Sequence, residues 1–112
     1  MFSYEADSFK RIIKKIKTVE GNNIISITAF GSRARGDFSG DSDMDVLVVV
    51  DKKTSKDVSF INDIFYKEEI KTGIPFSVTI ISIQSFDNNK RFKTGFYQNI
   101  KKDGVVFYGI NP

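Results

Sequence analysis

Residues 44–50, MDVLVVV, carry apolar side chains at both parities of a strand, so this segment has no polar face to turn to water. A strand of that kind belongs inside a sheet with cover on both sides. Directly before it stands FGSRARGDFSGDSD, residues 30–43, rich in glycine, arginine and aspartate. Any fold of this chain must bury Val46 to Val50 while keeping an acidic cluster at the strand's start.

The other segments supply what that strand needs. Phe9, Ile12, Ile13 and Ile16 recur at helical spacing and predict an amphipathic helix from Ser3 to about Val19, ended by Gly21 and Asn22. Ile24 to Phe30 reads as a strand, and Gly31 to Asp41 as a polar loop with room for one short helical turn. Asp57 to Lys71 repeats the helical pattern through Val58, Ile61, Ile64 and Phe65, closed by Gly73-Ile74-Pro75. Phe76 to Ile83 is a third strand, and Gln84 to Arg91 begins another helix or loop. Phe92 to Lys102 reads as helix with Phe96 and Ile100 inward; Gly104 stops it before a last strand, Val105 to Tyr108. The order α-β-β-α-β-α-β predicts an α+β fold, a mixed β-sheet flanked by helices, in one domain over residues 1–112.

Composition narrows the chemistry. The 112 residues contain no Cys and no His, so neither a thiolate nor an imidazole is on offer. Catalysis has to run on carboxylates, hydroxyls, Lys, Arg or bound metal. The net charge of +3 suits nucleotides or an acidic partner but not dedicated nucleic-acid binding. Lys10, Lys14 and Lys17 read as a solvated helix face. MFSYEADSFK lacks the apolar core of a signal peptide, and the longest purely apolar run, Val46 to Val50, is too short to span a membrane. A cytoplasmic protein is expected.

Asp43 and Asp45 are two apart on a strand, so they project from one face with Cα atoms about 6.6 Å apart. Carboxylates so placed can converge on one divalent cation, whereas without one they repel. Mg²⁺ suits a pair of carboxylates with water and substrate phosphate filling its other positions. Upstream, Gly31 permits close approach of a phosphate to the backbone. Ser32 can cap a following helical turn whose free amides bind anions. Arg33 and Arg35 supply cations, and Gly36 permits a further bend. Two other motifs fail on the residues that matter. A P-loop starting at Gly31 would need Lys where Asp37 stands, and an EF-hand starting at Asp41 would need Gly and Glu where Val46 and Lys52 stand.

Gly31-Ser32, ten residues, then Asp43-Met44-Asp45 resembles the G-S-x10-D-x-D signature of the polymerase β-type nucleotidyltransferases. GSRARG followed by SDMDVLVVV, with the tail NIKKDGVVFY, is similar to their smallest members, the minimal nucleotidyltransferase (MNT) domains. The resemblance implies the polymerase β-like nucleotidyltransferase fold and binding of a nucleoside triphosphate. Gly31 and Ser32 would then hold the triphosphate, with Arg33 and Arg35 as less central phosphate contacts, while Asp43 and Asp45 would ligate Mg²⁺. It further implies transfer of AMP from ATP to a hydroxyl of a protein partner, as the antitoxin of a HEPN-type toxin.

One feature departs from the family pattern. Active members carry a third carboxylate on a neighbouring strand, and the matching segment, PFSVTIIS, has no acid. Ser77 falls at the expected place, with Thr79 on the same face. Glu68, Glu69 and Asp87, the nearest acids in sequence, read as a solvated helix face and a loop charge. A partner or substrate supplies the missing group, or two carboxylates suffice, or the domain binds nucleotide without turning it over. The alternative function is therefore a catalytically weak or inactive nucleotide-binding antitoxin that neutralises its partner by contact.

Overall fold

The run Met44–Val50 forms an inner strand, as its two apolar faces require. The computed structural model describes residues 1–19, 23–36 and 42–109. Along the chain it contains α1 (Ser3–Lys17), β1 (Ile24–Phe30), α2 (Gly31–Arg35), β2 (Met44–Val50), α3 (Ser55–Thr72), β3 (Phe76–Ser82), α4 (Ile83–Arg91), α5 (Gly95–Asp103) and β4 (Val105–Tyr108). The sheet order is β3-β2-β1-β4. β1 runs antiparallel to β2 and β4, and β2 runs parallel to β3, so the sheet is mixed. A parallel neighbour needs a crossover, and α3 supplies it.

Alternation along β2 splits the interior in two. Met44, Val46, Val48 and Val50 turn to one face and pack with Phe9, Ile12 and Ile16 of α1 and Ile61, Ile64 and Phe65 of α3. Phe9 anchors this layer: it is fully buried, stacks on Phe107 at 4.2 Å and meets Phe76 edge-on at 5.9 Å. Burying one such ring contributes about 2 kcal/mol. Leu47 and Val49 turn to the other face and pack with Phe86 of α4 and Tyr97 and Ile100 of α5. Asp45 shares their parity, so its carboxylate belongs to the α4/α5 side.

Several boundaries differ from the sequence expectation, each for a capping reason. α3 begins at Ser55 rather than Asp57 because the Thr54 hydroxyl accepts the Asp57 amide at 3.1 Å. The polar stretch after β3 is helix α4, which takes Ile83 from the strand; the Ser82 hydroxyl accepts the Ser85 amide at 3.1 Å. Phe92 is left outside α5, 70% exposed, because the Thr94 hydroxyl accepts the Tyr97 amide and starts that helix at Gly95. α1 ends at Lys17, with Thr18 as its C-cap; Gly21 and Asn22, the expected stop, lie outside the described residues.

Candidate active site

The two strands that meet at the acidic pair are locked together at their first residues. The Met44 amide donates to the Pro75 carbonyl at 2.7 Å, and the parallel register then sets Asp45 beside Ser77. On its other side Asp45 pairs with Phe30, the last residue of β1. Met44 is fully buried while Asp43 is exposed and Asp45 half-buried. The alternation expected from sequence is therefore present. Burial first, and the charge of Asp43 second, push the Asp45 carboxyl above its ordinary range. Among the described residues no Lys or Arg makes an ion pair with either aspartate.

Gly31 completes the wall around Asp45. Its φ is +80°, a region that L side chains rarely adopt. A Cβ here would run into the Asp45 carboxylate, lying 3.2 Å from Cγ and 3.4 Å from Cβ and closer still to Oδ2. Glycine thus serves two ends at this position: it turns the chain out of β1, and it leaves room for the acid.

α2 follows at once, and here the expected cap is corrected. The N-cap is Phe30, whose ring is pinned edge-on against Phe96 at 5.9 Å. Ser32 lies inside the first turn rather than at the cap position, because the chain turns at Gly31. Gly36, at φ +84°, ends the helix as a left-handed C-cap. Residues 37–41 of the expected loop, Asp41 included, lie outside the described residues.

The two arginines are not equivalent. Arg35 pairs with Asp103 of α5 at 2.8 Å, and its side chain remains 42% exposed. A surface pair of that kind contributes little and can yield to a phosphate. Arg33 is buried, with its Nε 2.9 Å from a carboxylate oxygen of the fully buried Glu5. Its guanidinium meets Glu5 and Tyr4 of α1. Glu5 had no role in the sequence reading; its signal was an acid three residues after the N-cap of a helix, where it can reach back to a free amide. It does so, accepting the Phe2 amide at 2.8 Å.

No acid replaces Ser77. The hydroxyl is exposed on the edge strand next to Asp45, and Thr79 lies beside Leu47 on the same face. Glu69 accepts the Phe76 amide at 3.0 Å. Glu68 is not on a solvated face, as expected from sequence, but buried between α3 and α1 with Arg11 and Ser8. Asp87 is exposed on α4. Among the described residues no group of three or more acidic, His or Cys side chains gathers to hold a metal. Two carboxylates on one face, a glycine-shaped recess and a hydroxyl do suit a hard cation that keeps water and phosphate as its remaining ligands.

The sequence profile described as Nucleotidyltransferase domain matches residues 9–107, which takes in Gly31, Ser32, Asp43, Asp45 and Ser77. The chain belongs to the nucleotidyltransferase domain family. A Methanocaldococcus jannaschii relative, named as a candidate protein adenylyltransferase, is 31% identical over 104 residues, covering 93% of this chain and 98% of the relative. One chain of a solved toxin–antitoxin with AMP-PNP is similar with a TM-score of 0.57 at 14% identity, over 93% of this chain and 73% of that one. A chain from tri-AMPylated Shewanella oneidensis HEPN toxin in complex with MNT antitoxin is similar with a TM-score of 0.51 at 15% identity, over 92% and 71%. These two likenesses establish the nucleotidyltransferase fold, in agreement with the resemblance to MNT domains read from GSRARG and SDMDVLVVV. Among the described residues, no helix is long and apolar enough to cross a membrane.

Proposed function

We propose that this nucleotidyltransferase is Mg²⁺-dependent and moves AMP from ATP to a hydroxyl of a protein partner, with pyrophosphate released. The observation that carries this reading is the placement of Asp43 and Asp45 on one face, with Gly31 shaped around Asp45 and, among the described residues, no Lys or Arg paired with either acid. Asp43 and Asp45 would hold Mg²⁺, which supplies charge neutralisation on the triphosphate and a template for in-line attack. Gly31 and Ser32 would hold the phosphates at the turn, and Arg35 can join them by leaving Asp103. The acceptor oxygen bonds to the α-phosphorus as the bond to the pyrophosphate oxygen breaks. Ser77 cannot take the acceptor proton at neutral pH, so that proton leaves to water or to a base on the acceptor.

A protein acceptor fits the name of the Methanocaldococcus jannaschii relative, and the MNT–HEPN assembly of the structural neighbour supports a HEPN-type partner. Ser77 favours a second reading, an antitoxin that binds nucleotide and neutralises its partner by contact. Incubation with labelled ATP, Mg²⁺ and a HEPN-type partner separates the two. Label on the partner that disappears with Asp43→Asn supports transfer. Joint binding of Mg²⁺ and ATP without any label transfer supports the binding-only reading.

A further inference from the structure

Arg33 lies two residues beyond Gly31, yet only 6% of its side chain is exposed, against a Glu5 side chain that is fully buried. Glu5 divides its carboxylate between two donors: one oxygen accepts the Phe2 amide at 2.8 Å, the other accepts Arg33 Nε at 2.9 Å. The rest of the guanidinium reaches the Tyr4 hydroxyl at 3.2 Å and the Ser42 carbonyl at 3.1 Å. Ser42 is the residue directly before Asp43. One buried cation therefore joins the start of α1, the body of α2 and the peptide from which Asp43 hangs.

Asp43 is held from both sides. Behind it, Ser42 is fixed by Arg33; ahead of it, the Met44 amide is fixed on the Pro75 carbonyl at 2.7 Å. A planar fork that bonds in several directions sets orientation as well as distance, which a lysine cannot reproduce. Buried ion pairs give little stability over apolar side chains of the same volume. What this pair does supply is a fixed peptide at the start of β2.

We infer that Arg33 is a positioning residue, which with Glu5 as its buried counter-ion holds the Ser42 peptide so that Asp43 faces the same cation as Asp45. The inference rests on the reading of Asp43 and Asp45 as a metal pair, and it takes Arg33 out of the phosphate contacts. It also makes the first helix part of the active site.

The test combines two readouts on Arg33→Lys and on the double variant Glu5→Leu/Arg33→Met, which removes both members of the buried pair. Calorimetry gives the affinity for a non-hydrolysable ATP analogue with and without Mg²⁺, and the ratio measures metal coupling. Both variants are expected to lose about tenfold in that ratio, as for a residue that orients a metal ligand, with metal-free affinity within about twofold of wild type. Hydrogen exchange without nucleotide should quicken about tenfold at the Met44 amide in both variants. Loss of metal-free affinity in proportion would make Arg33 a phosphate ligand and overturn the inference. Unchanged coupling and exchange in a folded double variant would reduce the pair to a structural contact and also overturn it. A wild type without metal coupling would refute the metal-pair reading, and the exchange arm keeps that failure distinct from failure of the Arg33 clamp.

Discussion

Glu68 in α3 and Asp45 in β2 are both acids drawn away from water, but Glu68 meets a cation of the chain's own and Asp45 meets another acid. Glu68 accepts from Arg11 at 2.5 and 2.8 Å and from Ser8 at 2.7 Å, all on one oxygen. Burial alone would raise its pKa; the bonds from Arg11 and Ser8, with the charges of Arg11 and Lys15, more than offset this and hold it below its usual range. Asp45 is shifted the other way, by burial and by Asp43. Where a carboxylate braces two helices, the sequence provides the counter-charge. At the start of β2, among the described residues, no Lys or Arg pairs with Asp43 or Asp45, as the proposed metal pair would require.

The comparison can be broken first at Gly31. Gly31→Val adds left-handed strain of about 1–3 kcal/mol and a clash of similar size with the Asp45 carboxylate. Chemical denaturation should show a loss of roughly 3 kcal/mol or more, and calorimetry on whatever remains folded should show no Mg²⁺-coupled nucleotide binding. Wild-type affinity in a folded Gly31→Val protein would remove this turn from the site.

Arg11→Ala addresses the other acid. It leaves Glu68 buried without its cation, and because Arg11 is itself 37% exposed we expect a loss of about 2 kcal/mol, below the range for fully buried pairs. In a domain of this size that lowers the melting temperature by roughly 8 °C. A group whose pKa is depressed by folding adds stability above its unfolded pKa and loses it as pH falls through the folded value. The gap between wild type and variant should therefore close in acid, while the response to Mg²⁺ and nucleotide stays the same. A changed metal response would mean that the brace and the site are not separate.

Ser77→Asp should produce the smallest effect and the most informative sign. The new acid would stand next to Asp45 in the parallel register. Without metal, like charges side by side should cost about 1 kcal/mol or less. With Mg²⁺ and ATP the added carboxylate gains a cation partner, so the melting temperature should recover by more than that of the wild type. Ser77 is exposed, so a metal-independent loss of several kcal/mol, as for an acid buried in the core, would contradict this placement.

Much of this was legible because strand alternation is a strict rule. The apolar run from Val46 fixed an inner strand, and the two-residue spacing put Asp43 and Asp45 on one face. Ser77 was placed near them only by the resemblance to the family pattern; in the structure the parallel register pairs it with Asp45. What stayed hidden were pairings between residues distant in sequence. Glu5 and Arg33 are 28 residues apart, and Glu68 and Arg11 are 57 apart. Charge pattern alone made Glu68 look solvated and Arg33 free for ligand, and it gave no role to Glu5 or Arg11. Only packing shows that Arg33 turns inwards and that Glu68 is closed off by α1. The caps at Thr54, Ser82 and Thr94 were missed for a related reason, since a hydroxyl signals a cap only once the neighbouring backbone is known.

The most direct test of the missing counter-charge is a set of melting curves for wild type and Asp45→Asn, each with and without Mg²⁺ and a non-hydrolysable ATP analogue. A group whose folded pKa is raised adds stability below its unfolded pKa and loses it as pH rises through the folded value. At neutral pH the ionised Asp45 therefore destabilises the metal-free protein, and the isosteric amide removes that burden. Metal-free Asp45→Asn should melt at or above the wild type near pH 7, and its advantage should fade as the pH is lowered through the carboxylate range. Addition of Mg²⁺ and the analogue together should raise the melting temperature of the wild type and leave that of the variant unchanged. An Asp45→Asn protein that is destabilised without metal, yet shows the full wild-type rise with Mg²⁺ and nucleotide, would contradict the account.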